Sequence, residues 1–142
     1  MMLDLNTKFG RFAKKYIKTE YFIWLITVDS TGTPQPRPVW FIWDNDSFLV
    51  FSQAKAHKLK HIRKNSNVSL HFNTEDEKGE KRLIVFSGTA EIDNKCPPAD
   101  KIHAYVRKYK SGIFALNSTL EQFAHEYSIA IRVTPTNVRG WE

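Results

Sequence analysis

Cysteine is nearly absent from this chain, since Cys96 is the only one in 142 residues. A single thiol excludes an internal disulfide framework and any zinc site built on several thiolates. Long hydrophobic runs are also missing: the longest, residues 21–25 and 39–43, are far shorter than the roughly 20 residues of a membrane-spanning helix. The start of the chain has no pattern typical of a secretory signal peptide. We therefore expect a cytoplasmic protein without a transmembrane helix.

Glycine is scarce as well, and none of the six glycines forms a dinucleotide-binding or Walker phosphate loop. His125 and Glu126 begin like a zinc-protease motif, but Ile129 stands where the second histidine belongs. His57 and His61 are four residues apart on a predicted helix, a spacing at which they could share a metal ion. The lysines around them would repel a cation, so we interpret both as exposed helix histidines. No metal site is predicted, and no residue stands out as a general acid.

Positive charge is what the chain has in excess. The formal net charge is +6, with 42% hydrophobic and 25% charged residues, a composition typical of one globular domain spanning residues 1–142. Basic residues concentrate in the stretches 8–18, 55–64 and 101–110, whereas acids cluster in a predicted turn at 75–80. An anionic partner is therefore expected, which leaves nucleic acid, acidic lipid and a phosphate-bearing small molecule as candidates.

Hydrophobic periodicity predicts six strands and four helices. The predicted strands cover residues 21–28, 37–43, 48–52, 68–72, 82–92 and 128–133. Amphipathic stretches predict helices within residues 1–18, 53–65 and 100–110, and a capping box from Ser118 to Glu121 predicts a fourth helix through His125. Gly88 lies inside the fifth strand, where glycine often marks a bulge or a close approach. Residues 135–142 are interpreted as a tail.

Short turns connect the first three strands as hairpins, so we expect the strand at 37–43 to pair with both neighbours. Strands joined mainly by hairpins and interrupted by helices indicate a mainly β fold, an antiparallel barrel with peripheral helices.

The segment from Ser52 to Arg63 carries the strongest chemical signal. It leaves a strand, turns and enters a helix, which brings a hydroxyl and free backbone amides together with Lys55 and Lys58. A phosphate would be well bound there. A merely solvated basic helix explains the same residues equally well, and the two interpretations stay open.

Aromatic residues and one unpaired cation mark the second strand. Arg37 has no acidic neighbour in the sequence. Trp40 and Trp43 are three residues apart, which places them on opposite faces of a strand. One tryptophan can then fill the core while the other is free for a flat ring or a partner subunit.

Taken together, these short motifs resemble those of a known family, the pyridoxamine 5′-phosphate oxidase-related FMN-binding split barrels, and in particular their probable deazaflavin-dependent branch. The resemblance spans nearly the whole chain, and only the ensemble of motifs is specific. The motifs are Trp24-Leu-Ile-Thr-Val, Gly32-Thr-Pro, Arg37-Pro-Val-Trp-Phe-Ile-Trp-Asp, Phe51-Ser52, Lys55-x-x-Lys58, Ile62-Arg63-Lys-Asn65, Val68-Ser-Leu, Gly88-Thr-Ala and Val138-Arg-Gly-Trp141.

The resemblance implies a six-stranded antiparallel split β-barrel that forms a homodimer with flavin at the subunit interface. It implies three groups of cofactor-binding residues and one contribution from the partner subunit. Arg37, Pro38, Val39 and Trp40 would contact the ring or its ribityl chain, Phe51 and Ser52 would flank it, Lys55, Lys58 and Arg63 would face the phosphate, and Trp141 would reach the ring edge across the dimer.

The resemblance also implies an oxidoreductase that uses FMN, or alternatively the 8-hydroxy-5-deazaflavin coenzyme, to pass hydride to or from a small molecule. Residues 133–142 lack the Arg-Leu-His motif with which pyridoxamine 5′-phosphate oxidase itself binds substrate, so vitamin B6 oxidation is not predicted. The alternatives are a non-catalytic flavin carrier and a nucleic-acid-binding barrel. Most basic residues lie on predicted helices rather than beside strand aromatics, which disfavours nucleic acid.

Overall fold

The structure is a computed structural model that describes residues 3–142. Seven strands form one antiparallel sheet in the order β2-β1-β5-β6-β7-β4-β3, accompanied by four α-helices and one 3₁₀ turn. The strands are β1 Phe22–Val28, β2 Pro34–Trp40, β3 Ile42–Asp44, β4 Ser47–Ser52, β5 Asn67–His71, β6 Leu83–Ile92 and β7 Ile129–Trp141. The helices are α1 Lys8–Thr19, α2 His57–Lys64, α3 His103–Ala115 and α4 Leu120–Glu126, and the 3₁₀ turn is Ala99–Lys101.

The sheet curls into a half-barrel because its two edges are consecutive in the chain. β2 and β3 lie at opposite edges, yet only Phe41 separates them. The predicted single strand at 37–43 is thus two strands, which gives seven rather than six. One continuous strand is expected to pair with both neighbours. Instead, its first part, β2, pairs with β1, and its second part, β3, pairs with β4. Three alternating prolines on β2 have no N–H for another neighbour, a sequence signal of an edge strand: Pro34, Pro36 and Pro38.

Helix α3 holds the bend between β2 and β3. The Phe41 backbone N–H donates to the Tyr109 hydroxyl at 2.8 Å, and the Lys108 ammonium donates to the Phe41 carbonyl at 2.9 Å. The same Tyr109 oxygen lies 2.7 Å from the Phe41 carbonyl and 2.6 Å from the Tyr21 carbonyl. The backbone groups that the bend removes from strand pairing are therefore satisfied by side chains.

Two hydrophobic clusters lie on opposite faces of the sheet. The first fills the barrel, and α1 and α2 contribute Ala13, Ile17, Leu59 and Ile62 to it. The second lies outside the barrel, beneath α3 and α4. Trp43 packs against the first cluster and Trp40 against the second, so the prediction that these tryptophans face opposite sides is confirmed.

Strand β7 is longer than its predicted counterpart, because it pairs with β6 as far as Trp141, the residue opposite Leu83. The register shifts between Ser87 and Gly88, so a bulge, one of the features that a glycine inside a strand can mark, lies at this position. A Cβ on Gly88 would lie 2.4 Å from the Thr134 carbonyl oxygen, so the two backbones approach too closely for any side chain there. The bulge lets β7 continue past a proline to the end of the sheet.

The helix ends follow local capping with small shifts from the prediction. The capping box of α4 joins Thr119 and Gln122, one residue later than the predicted pair Ser118 and Glu121. Helix α3 begins at His103 because a 3₁₀ turn precedes it. No helix within residues 3–142 is long and apolar enough to cross a membrane.

Candidate functional site

A cavity of about 350 Å³ lies between one edge of the curled sheet and helices α3 and α4. Its walls come from β2, from the end of β4, from the start of α2 and from the two outer helices. The lining residues are Pro38, Val39, Trp40, Phe51, Ser52, Gln53, Ala56, Lys58, Tyr105, Leu116, Phe123 and Tyr127. Six of the ten residues that the sequence singles out therefore line one cavity: Pro38, Val39, Trp40, Phe51, Ser52 and Lys58.

Five of the twelve residues that line this cavity are aromatic, and we call it the aromatic cavity. Trp40 stacks on Tyr109 at a centroid distance of 4.6 Å and an interplanar angle of 8°, and on Phe123 at 5.6 Å. Tyr127 stacks on Phe123 at 4.5 Å. Because each ring is held by the next, the wall is preorganised for a flat ligand.

Sequence reasoning misses three of these wall residues, namely Tyr105, Phe123 and Tyr127. Tyr105, Tyr109 and Ile113 follow the spacing of a helical core stripe, and all three are indeed buried. The useful signal is that the outer layer uses tyrosine where leucine would fill the same space, because a buried hydroxyl needs a partner.

A second cavity, of about 400 Å³, adjoins the first and is cationic. Its lining residues are Thr27, Gln35, Arg37, Pro38, Ala56, His57, Lys58 and His61, of which Pro38, Ala56 and Lys58 also line the aromatic cavity. We call it the cationic cavity. Half-buried Lys58 belongs to both spaces and connects them.

Three features suit the cationic cavity to an anion. Burial lowers the pKa of Lys58, and the nearby positive charge of Arg37 lowers it further. The N-cap of α2, Ala56, makes no side-chain hydrogen bond, so the backbone N–H groups of His57 and Lys58 have no capping partner. An anion here would meet two cations and the positive end of a helix.

Several polar side chains near the point where the two cavities meet already form hydrogen bonds within the protein. The buried Ser52 hydroxyl donates to the Gln53 carbonyl at 3.0 Å, and Arg37 Nη1 donates to the Pro36 carbonyl at 2.7 Å. His61 Nδ1 lies 2.8 Å from the Thr27 hydroxyl. Within the range 3–142, no three His, Cys, Asp or Glu side chains group as a metal site would require.

The three remaining predicted site residues line neither of these two cavities. Lys55 is exposed in the turn before α2, and Arg63 is exposed near the C-terminal end of that helix. Trp141 is 52% exposed at the far end of β7. Strand β7 begins opposite Ser52 and extends for roughly 40 Å of extended chain to Trp141. Within one subunit, Trp141 is therefore remote from the aromatic cavity.

Comparison with known proteins identifies the family. The family model described as pyridoxamine 5′-phosphate oxidase matches residues 10–142. The chain therefore belongs to the pyridoxamine 5′-phosphate oxidase family, and its curled antiparallel sheet with helices is the fold expected from the resemblance. No curated protein matches the sequence.

Solved structures with this fold differ in what they are reported to bind. A conserved hypothetical protein from Mycobacterium tuberculosis matches with a TM-score of 0.76 at 16% identity, over 100% of this chain and 89% of the other. A protein described as an F420 reductase matches with a TM-score of 0.66 at 22% identity, over 89% and 94%. The heme storage protein HutZ from Vibrio cholerae matches with a TM-score of 0.63 at 14% identity, over 98% and 94%. At these identities, the likeness is one of fold.

Proposed function

We propose that this chain binds FMN, or alternatively the 8-hydroxy-5-deazaflavin coenzyme, and acts as an oxidoreductase on a small molecule. The observation that carries the proposal is the junction of the aromatic and cationic cavities at Lys58. A flavin has the matching two parts, a flat ring and an anionic tail. Membership of the pyridoxamine 5′-phosphate oxidase family and the F420 reductase among the structural neighbours support the same class of cofactor.

The residues present fit such a group. Trp40, Phe51 and Phe123 line the aromatic cavity with apolar ring surface beside which a flat ring would pack. Arg37, Lys58 and the uncapped start of α2 offer charge and amides to a phosphate. A bound flavin or deazaflavin supplies the hydride-transfer chemistry itself, so the protein needs only to bind and orient it. This division of labour agrees with the lack of a catalytic triad or carboxylate pair in the sequence.

We further propose a homodimer in which Trp141 reaches the flavin site of the partner subunit. The outward residues Trp24, Ile26 and Val28 of β1 are half-buried and belong to neither hydrophobic cluster. An apolar sheet face of this kind is a common subunit interface. Trp141 is fixed in a strand rather than in a loose tail, so it can contribute to a defined site.

Lys58→Ala tests the site. A charge-assisted hydrogen bond to phosphate contributes about 1.5 to 3 kcal/mol, so FMN should bind roughly 10- to 150-fold more weakly. Riboflavin has the same ring without the phosphate, and its affinity should barely change. Titrations followed by flavin fluorescence measure both constants.

Lys60→Ala is the matched control, because Lys60 is exposed on the same helix and lines neither cavity. It should change neither affinity. Equal losses of FMN and riboflavin in Lys58→Ala would contradict phosphate binding at Lys58. Failure of the wild-type protein to bind FMN, riboflavin and the 8-hydroxy-5-deazaflavin coenzyme would refute the proposed cofactor.

Turnover and assembly need separate measurements. Reduction of a small carbonyl or unsaturated compound by protein loaded with chemically reduced flavin, with the flavin oxidised in the same step, would establish an enzyme. Tight binding without turnover would support the flavin carrier. Sedimentation should give twice the mass of one chain. A monomer at micromolar concentration would contradict the contribution of Trp141 across subunits.

A further inference from the structure

Tyr105 is fixed on α3 by aromatic rings on three sides. Its side chain is 1% exposed. The ring centroids of Tyr109, Phe51 and Phe123 lie 4.8, 5.1 and 6.2 Å from its own. Close packing of this kind leaves one orientation for the ring, so the direction of its hydroxyl is fixed as well.

The hydroxyl of Tyr105 has no hydrogen-bond partner among residues 3–142. In that part of the chain, two side-chain polar atoms are sealed from solvent without a partner, and both belong to Arg82. The Tyr105 hydroxyl is therefore not sealed, and its residue lines the aromatic cavity. Buried tyrosine hydroxyls ordinarily find a partner. We expect the missing partner to belong to the molecule that fills the cavity.

The surroundings define the chemistry of that partner. Burial raises the pKa of Tyr105, and the neighbouring Tyr21 and Tyr127 add to the effect, so the hydroxyl keeps its proton and is available as a donor. Lys58 is the one charged residue among those that line the aromatic cavity. Because the phenol stays neutral, it needs no charged partner, and a neutral oxygen on a flat molecule is a sufficient acceptor.

On the basis of the proposed function, we propose that Tyr105 donates a hydrogen bond to a carbonyl-type oxygen on a neutral, planar ring bound in the aromatic cavity. That oxygen can belong to the flavin ring itself or to the small-molecule substrate. Tyr105 would then be a ligand-binding residue that the sequence motifs do not indicate, contributed by helix α3.

Tyr109 provides a matched comparison one helical turn away. Its hydroxyl contacts three backbone groups of the protein, and it does not line the cavity. Removal of the Tyr109 hydroxyl should therefore lower stability with little effect on ligand binding, whereas removal of the Tyr105 hydroxyl should do the reverse.

The experiment measures ligand affinity and thermal stability for wild type, Tyr105→Phe and Tyr109→Phe. The probes are riboflavin, and 1,4-naphthoquinone added to the FMN-loaded protein. Loss of one neutral hydrogen bond should weaken the affected probe about 2- to 12-fold in Tyr105→Phe, with an unchanged melting temperature. A loss for riboflavin assigns the acceptor to the flavin ring, and a loss for naphthoquinone alone assigns it to the substrate.

Unchanged affinity for both probes in Tyr105→Phe would overturn the proposal, as would an equal loss in Tyr109→Phe. If the wild-type protein binds no flavin, the proposed function fails independently, and naphthoquinone is then titrated into the cofactor-free protein. A 2- to 12-fold loss in Tyr105→Phe still supports the donor role, whereas no loss, or no binding of the quinone, overturns it.

Discussion

The two faces of the same sheet carry apolar layers that differ in chemistry. The barrel interior consists mainly of aliphatic side chains and phenylalanines such as Phe48 and Phe86. The outer layer beneath α3 and α4 contains Tyr105, Tyr109 and Tyr127 together with Trp40. The outer layer thus combines flat apolar surface with hydroxyls. The comparison indicates that the interior maintains the shape of the sheet while the outer layer contributes most of the proposed binding site.

The two layers meet where β2 becomes β3. Side chains alternate across the bend without interruption: Val39 and Phe41 lie in the interior cluster, whereas Trp40 and Ile42 pack in the outer one. Phe41 therefore lies at the point where the two layers meet. The hydrogen bonds from α3 to Phe41 connect the scaffold to the site.

The largest expected effect is on the scaffold and follows Glu20→Ala. Arg82 is 1% exposed, pairs with Glu20, and has its guanidinium 4.5 Å from the centre of the Tyr16 ring. Loss of the carboxylate leaves a buried charge without its counter-ion, which should lower the free energy of unfolding by about 3 to 5 kcal/mol. Urea denaturation measures the change.

Combining Glu20→Ala with Arg82→Met removes both charges and should recover part of that loss. If the interior layer only maintains the shape of the sheet, the Glu20→Ala protein that remains folded should still bind riboflavin with wild-type affinity. A change of less than about 1 kcal/mol would mean that water solvates Arg82 well enough to replace Glu20.

Gly88→Ala should have an intermediate effect, again on the scaffold. The added methyl group would meet the Thr134 carbonyl oxygen at 2.4 Å and the Pro135 Cα at 2.9 Å, both backbone atoms. Overpacking of this kind typically costs about 1 to 3 kcal/mol, so the melting temperature should fall by several degrees.

Thr89→Ala is the control for Gly88→Ala, because Thr89 is an exposed residue on the same strand. It should change stability by about 0.5 kcal/mol or less. Equal effects of the two substitutions would show that β6 and β7 move apart easily at the bulge. That result would contradict the interpretation of the interior as a rigid scaffold.

The interior is the part that the sequence predicts well. Strict alternation of apolar and polar residues locates strands such as the one around Leu70, and Gly88 marks the position of the bulge. The split at Phe41 escapes the same reasoning because alternation continues through it. What distinguishes it is a set of hydrogen bonds from residues 67 and 68 positions later in the chain.

The site is predicted only where it is local in sequence. The segment from Ser52 to Lys58 combines strand end, turn and helix start within a few residues, so its proposed place beside a phosphate can be predicted without tertiary information. Tyr105 and Phe123 reach the same cavity from distant helices. Their spacing is that of ordinary core residues, and only the unpartnered hydroxyl in the folded protein distinguishes Tyr105.

The smallest expected effect concerns the connection between the two layers and depends on pH. Burial lowers the pKa of Lys108 from its usual value of 10.5 to about 8, against the opposing influence of the Glu20 carboxylate. Between those two values the unfolded chain binds more protons than the native protein, so stability rises with pH. Below pH 8 the ammonium is charged in both states and the cost of burying it is fully present.

Lys108→Met removes this titration while it keeps an apolar stem beside the Phe41 ring, whose centre lies 3.9 Å from the Lys108 ammonium. The free energy of unfolding of wild type relative to Lys108→Met should therefore rise from pH 7 to pH 10, by on the order of 1 kcal/mol because the ammonium is only partly buried. Urea titrations at successive pH values measure the difference, in which the titration of groups common to both proteins cancels. Lys110→Met, at an exposed position of the same helix, should give a flat difference. A flat difference for Lys108→Met as well would mean that its ammonium stays hydrated at the bend and that its burial carries no pH-dependent cost.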